Sequence, residues 1–167
     1  MLSESTLLRL ETQLEVVPVL LHGATPEAIM ARPAPGKWSA HENLAHLARH
    51  HAVFLDRLQR ILGEMSPQLG RYRAEEDSAW PEWSRLSTAE VLSRLTTLRA
   101  ELIHRIQGLS EAEARRASIH PLFGEMSLAL WVEFFLLHEA HHLYVVMMRL
   151  GEAKRSVSKT TPRPFLP

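Results

Sequence analysis

Apolar residues recur at helical spacing through most of this chain while alternating, strand-like segments are nearly absent, and that periodicity commits it to an all-α fold. The helix starts are written into the sequence. Ser39 with Glu42, Ser87 with Glu90 and Ser110 with Glu113 each form a Ser-x-x-Glu box, in which hydroxyl and carboxylate satisfy backbone N–H groups that the first turn leaves unpaired. Thr25 followed by Pro26 marks another start. The pattern predicts long helices over about 4–22, 40–62, 88–107 and 127–150, and short turns near 26–31 and 111–117. Four long helices imply a four-helix bundle with long connections. The stretch 63–86, with Pro67, Gly70, Trp80, Pro81 and Trp83, reads as a connection covering one end of the bundle. Gly151 reads as a C-cap, so 1–151 is expected to form the domain and 152–167, with Pro162, Pro164 and Pro167, an extended or mobile tail. One core suits 167 residues that are 46% hydrophobic.

Lys and Arg total 19, as do Asp and Glu, and neither sign forms a long run, so no nucleic-acid or anionic-membrane surface is expected. No apolar run approaches a membrane span, and the first ten residues lack the basic-then-apolar order of a leader. A cytoplasmic location is the expectation. The chain has no cysteine, so any metal must sit on imidazole or carboxylate. Ten histidines then require a reason.

Seven of the ten lie in two clusters that matter most. In Leu137-His138-Glu139-Ala140-His141-His142, His138 and His142 stand one helical turn apart, about 40° around the axis, so both rings can converge on one ion. His141 offers a rival pairing with His138. The helical wheel favours His142, which shares a stripe with His138, Trp131, Phe135 and Val145. The second helix carries His41, His46, His50 and His51, and there spacing does not choose. Its apolar stripe of Leu44, Leu47, Phe54, Leu58 and Ile61 places His51 inside, His50 at the margin and His46 just beyond. His51 reads as a satisfied core histidine, His41 and His50 as solvated or helix-end side chains.

The segment Lys37-Trp38-Ser39-Ala40-His41-Glu42-Asn43-Leu44-Ala45-His46-Leu47 resembles the first motif of the DinB/YfiT-like family of metal-dependent enzymes, which is unrelated to the similarly named polymerase. His120-Pro121-Leu122-Phe123-Gly124, followed by Trp131, Phe134 and the His138–His142 pair, is similar to that family's C-terminal motif. The resemblance spans the chain to about Gly151. It implies that His46, His138 and His142 together hold one divalent metal, with Zn or Ni expected. It also implies a thiol-dependent S-transferase, using a low-molecular-weight thiol, or a small-molecule hydrolase. The alternative is a non-catalytic protein whose metal site is structural or regulatory. Three imidazoles leave coordination positions for exchangeable ligands, which favours the enzyme; a fourth protein ligand would reverse that preference.

Nothing beyond the metal site is assigned a catalytic role. Glu42 is occupied by its capping box, Glu139 lies away from the paired histidines on the wheel, and Arg149 reads as a helix-end arginine. Asn43 is placed to orient a ligand imidazole. Trp38 and Trp131 read as packing rather than a substrate wall. The last helix is apolar on almost every side, with Leu130, Phe134, Leu137 and Met148 off the histidine stripe, so it is either the central helix of a monomeric bundle or part of a homodimer interface, and the resemblance leans toward the homodimer.

Overall fold

The computed structural model describes residues 2–160, with side chains described through Arg155. Helix α1 (Glu4–Thr12) passes through a 3-10 turn (Gln13–Glu15) into α2 (Val16–Leu21), and α3 (Pro26–Met30) follows. Helix α4 (Ala40–Gly63), a short α5 (Trp80–Arg85), α6 (Thr88–Gln107) and the single turn α7 (Glu111–Ala114) come next. A hairpin of β1 (Ala117–His120) and β2 (Gly124–Ser127) then leads into α8 (Leu128–Thr160). All three Ser-x-x-Glu boxes form in full, opening α4, α6 and α7.

Four departures from the expected elements have local causes. The first helix is broken at 13–15 because Pro18 has no N–H to donate to the Leu14 carbonyl, and the chain tightens there into a 3-10 turn. The last helix runs through Gly151 to Thr160, so Gly151 does not cap it; the remainder of the expected tail, 161–167, lies outside the described residues. The connection after α4 contains α5, started by Pro81 in its first turn. The hairpin was not expected, since four residues per strand are too few to show alternation. Its turn is closed by Gly124 at φ 69 and by His120, whose Nδ1 accepts the N–H groups of Leu122 and Phe123 at 3.1 and 3.2 Å.

Contacts along the helices give their directions. Asn43, His46, His50 and Phe54 of α4 meet His142, His138 and Phe135 of α8 in descending order, so the two helices are antiparallel. Helix α6 runs parallel to α4: Val91 and Leu95 pack with Leu44 and Leu47, whereas Leu102 and Ile106 pack with Phe54, Leu58 and Ile61. Parallel neighbours need a chain that returns the length of the bundle, and this is why the link between α4 and α6 is long. None of the described helices is long and apolar enough to cross a membrane.

The core has two apolar clusters, one around Phe54, Trp131 and Phe135 and one around Leu44, Leu95 and Val146. At the level where they meet lies a buried polar layer. The Glu139 carboxylate accepts from Gln13 Nε2 at 2.8 Å and from Arg99 Nη2, while Arg99 Nη1 donates to the Leu10 carbonyl at 3.2 Å. Burial pushes the Glu139 carboxyl upward and the Arg99 guanidinium downward, and their mutual attraction opposes both shifts. His51 Nδ1–H donates to the Leu47 carbonyl at 2.8 Å, and its Nε2 stands 3.3 Å from the Glu139 carboxylate without hydrogen-bond geometry.

Arg99→Met leaves the Glu139 charge buried without its cation and is expected to cost about 3–5 kcal/mol, with the Arg99→Met/Glu139→Leu double variant recovering much of that loss. Urea denaturation of both variants measures it; a double variant no more stable than the single one would mean that charge pairing is not the origin of the loss.

Candidate metal centre

The site is assembled on the seam between α4 and α8, beginning from the helix cap. Ser39 Oγ accepts the Glu42 N–H at 3.1 Å and the Glu42 carboxylate accepts the Ser39 N–H at 2.9 Å; Arg32 also pairs with Glu42. With Ser39 thus fixed, its carbonyl accepts Asn43 Nδ2 at 2.7 Å. An amide that donates through Nδ2 must turn Oδ1 the other way, and Oδ1 lies 2.8 Å from His142 Nδ1. That nitrogen therefore carries the proton, and the His142 Nε2 lone pair is left bare, which is the form a metal needs.

His46 faces the same point from α4. Its Nε2 lies 3.2 Å from His138 Nε2, and its ring centroid is 4.3 Å from that of His142. One ring nitrogen from each of His46, His138 and His142 lies within 4.8 Å of the others, and among the described residues no further His, Asp or Glu joins this group. Burial pushes His46 down to about 3, with His138 adding to the shift. Burial likewise brings His138 to about 4 and His142 to about 2, with charge from neighbouring histidines assisting. All three are consequently neutral near pH 7, and a cluster of bare imidazole nitrogens in a poorly solvated seam fits a divalent cation of borderline softness. Nδ1 of His46 and of His138 are buried without a protein partner, so of the three rings only His142 is oriented by a side chain.

Rings enclose His46. Trp38 lies 5.0 Å from it, Tyr72 stacks at 5.6 Å, and Trp80 stands edge-on at 6.2 Å. Trp38 is thus a wall of the site as well as a packing residue, whereas Trp131 is wholly buried in the core. His50 is not solvated. It is 3% exposed, its ring 4.1 Å from His138, with Nδ1 unpartnered. The spacing of His46 and His50, four residues on one helix, matches that of His138 and His142 and was the available clue. His41 is buried at the helix start, between Thr88 Oγ1 and the Ser84 carbonyl, and His141 is exposed. Arg149 is held by the Trp38 carbonyl and Glu152, away from the histidines.

The sequence profile of the DinB superfamily matches residues 9–146. The chain belongs to that superfamily. Among curated relatives, the uncharacterized protein YuaE of Bacillus subtilis (strain 168) is 25% identical over 147 residues, which cover 81% of this chain and 88% of YuaE. Among solved structures, YfiT from Bacillus subtilis, described as a probable metal-dependent hydrolase with an unusual four-helix bundle topology, superposes with a TM-score of 0.73 at 17% identity. That match covers 95% of this chain and 91% of YfiT, and at such identity it establishes the likeness of fold. TT2238, described as a four-helix bundle protein, gives a TM-score of 0.57 at 27% identity over 87% of this chain and 98% of its own.

Asn43→Leu removes the group that sets the His142 tautomer and is expected to weaken Zn²⁺ binding roughly 10–100-fold while circular dichroism stays that of a folded bundle. His51→Ala, by contrast, should lower stability and leave metal affinity nearly unchanged. Competition with a chromophoric chelator reads both; a reversed pattern would place the metal-binding face of α4 at His51.

Proposed function

We propose that this protein is a cytoplasmic metal-dependent enzyme in which His46, His138 and His142 hold one divalent ion, Zn or Ni, and act on a small molecule. The observation that carries this reading is a three-imidazole group with no fourth protein donor among the described residues, since structural zinc sites are ordinarily closed by four. A divalent ion held there would act as a Lewis acid, lowering the pKa of a bound water or thiol toward neutrality. The chain's own residues supply the rest. Neutral histidines keep their lone pairs free, Asn43 fixes one of them, and Trp38, Tyr72 and Trp80 limit water on the α4 side of the site.

Two reactions suit such a site. Hydrolysis is favoured by the likeness to YfiT, and transfer of a low-molecular-weight thiol by the family resemblance, with the absence of cysteine requiring that the thiol come from solution. His138→Ala and His142→Ala are expected to lose most bound metal with helicity retained, because the two apolar clusters do not depend on the ion. In the Co²⁺-loaded protein, an added thiol should shift the visible spectrum if the ion has an exchangeable position. Product formation with and without thiol then separates transferase from hydrolase; a spectrum insensitive to every ligand, with no turnover lost in His46→Ala, leaves a structural or regulatory metal site.

A second copy of the chain is the proposed partner of α8. Leu130, Leu137 and Tyr144 recur every seven residues along that helix and are 50%, 65% and 56% exposed, a self-complementary apolar stripe. Sedimentation should give a dimer that Leu137→Glu dissociates without loss of metal; a wild-type monomer at all concentrations rejects the pairing and leaves the metal centre untouched.

A further inference from the structure

A cavity of about 300 Å³ adjoins the histidine group on the hairpin side, with His138 and His50 in its wall. Arg57, Arg71, Tyr72 and His120 complete its polar lining, and no carboxylate faces it. Leu122, Phe123 and Phe134 form the apolar side.

Arg57 is the unusual member. It is only 6% exposed, yet it forms no ion pair with any described carboxylate. Its neighbour Asp56 is exposed and lines a different groove. The guanidinium is held by one hydrogen bond, from Nη2 to the Gly70 carbonyl at 2.7 Å, and lies over the Trp131 ring at 5.2 Å. The other N–H groups of its planar fork have no acceptor among the described residues. Burying a cation without a counter-charge is costly, and a fork with open donors in a cavity wall is the arrangement that receives a planar anion. Arg71, exposed at the same cavity, adds a second positive charge with no ion-pair partner among the described residues. His120 accepts two backbone N–H groups at Nδ1, so its ring presents a proton on Nε2. Tyr72 is committed through its hydroxyl to Asp77 at 3.1 Å and contributes its ring.

We infer that this cavity binds a small organic carboxylate, its acidic group held by Arg57 and Arg71, its apolar body against Phe123 and Phe134, and its reacting end presented at His138. The reacting end rests on the metal-centre reading above; the carboxylate subsite does not.

Benzoate and its neutral analogue benzamide are suitable probes, titrated calorimetrically into metal-loaded and chelator-treated protein, with the metal content of every sample measured. Benzoate is expected to bind at least about tenfold more tightly than benzamide. Arg71→Gln and Arg57→Gln should each erase that preference while keeping wild-type metal content and helicity; should Arg57→Gln fail to fold, the exposed Arg71 decides alone. A preference for benzoate that persists without metal supports the subsite even if the histidines prove to hold no ion. Equal binding of the two probes overturns it. So does benzoate binding that survives both arginine substitutions but vanishes when metal is removed, which would assign the carboxylate to the ion.

Discussion

At the middle of the bundle the Glu139 carboxylate is reached by Gln13 from the turn after α1, by Arg99 from α6 and, at contact distance, by His51 from α4. One side chain of α8 thereby touches all three other long segments. A buried carboxylate cannot be left unpaired, so the rotation of α8 about its own axis is constrained at this point more tightly than by apolar contacts, which tolerate sliding. Residues adjacent on a helix point about 100° apart. Turning Glu139 inward therefore turns His138, and His142 one turn later, toward the seam with α4.

The same seam explains why the histidines are neutral as well as buried. Apolar clusters above and below bury much of the layer, which holds the imidazoles neutral and strengthens any electrostatic contact made there. Antiparallel packing then brings residues of α4 against α8 in reverse order, so that Asn43 meets His142 while His46 meets His138. A capping box worth a small amount of helix stability acquires a second role: by fixing the Ser39 carbonyl it fixes the Asn43 amide, and through it one ring of the site.

Local chemistry was legible in the sequence wherever a single residue type decides an outcome. Ser-x-x-Glu located three helix starts, and the four-residue spacing of His138 and His142 picked out two of the three histidines that the structure brings together. Other features depended on neighbours distant in sequence. Pro18 was visible but gave no measure of whether a long helix would bend or break. Gly151 looked like a stop because glycine often ends a helix, yet nothing forces the chain out of helix there. The hairpin is held partly by Arg116, which donates to carbonyls at the end of α4, a contact invisible to strand periodicity. His50 looked like a residue of a solvated margin and became a cavity wall, with Arg57 beside it, because the α4–α6 link and the hairpin fold over them.

His46 shows why a single apolar stripe ranks polar site residues badly. The wheel assumes a helix with one buried face, whereas sixteen of the 24 residues of α4 are buried, because α6, α8, α5 and α3 all pack against it. Leu44, Leu47, Phe54 and Leu58 mark the faces turned to the apolar clusters, and the period they set belongs to those neighbours alone. The second seam, toward α8, is populated by Asn43, His46 and His50, and polar residues add nothing to a hydrophobic period. A residue that seems to stand just outside the stripe can thus be buried by protein, as His46 is, and its polar character is what made it look exposed. In a helix buried on several sides, a row of histidines and amides at four- and three-residue steps marks a second interface, and the family motif was needed to distinguish that interface from solvent.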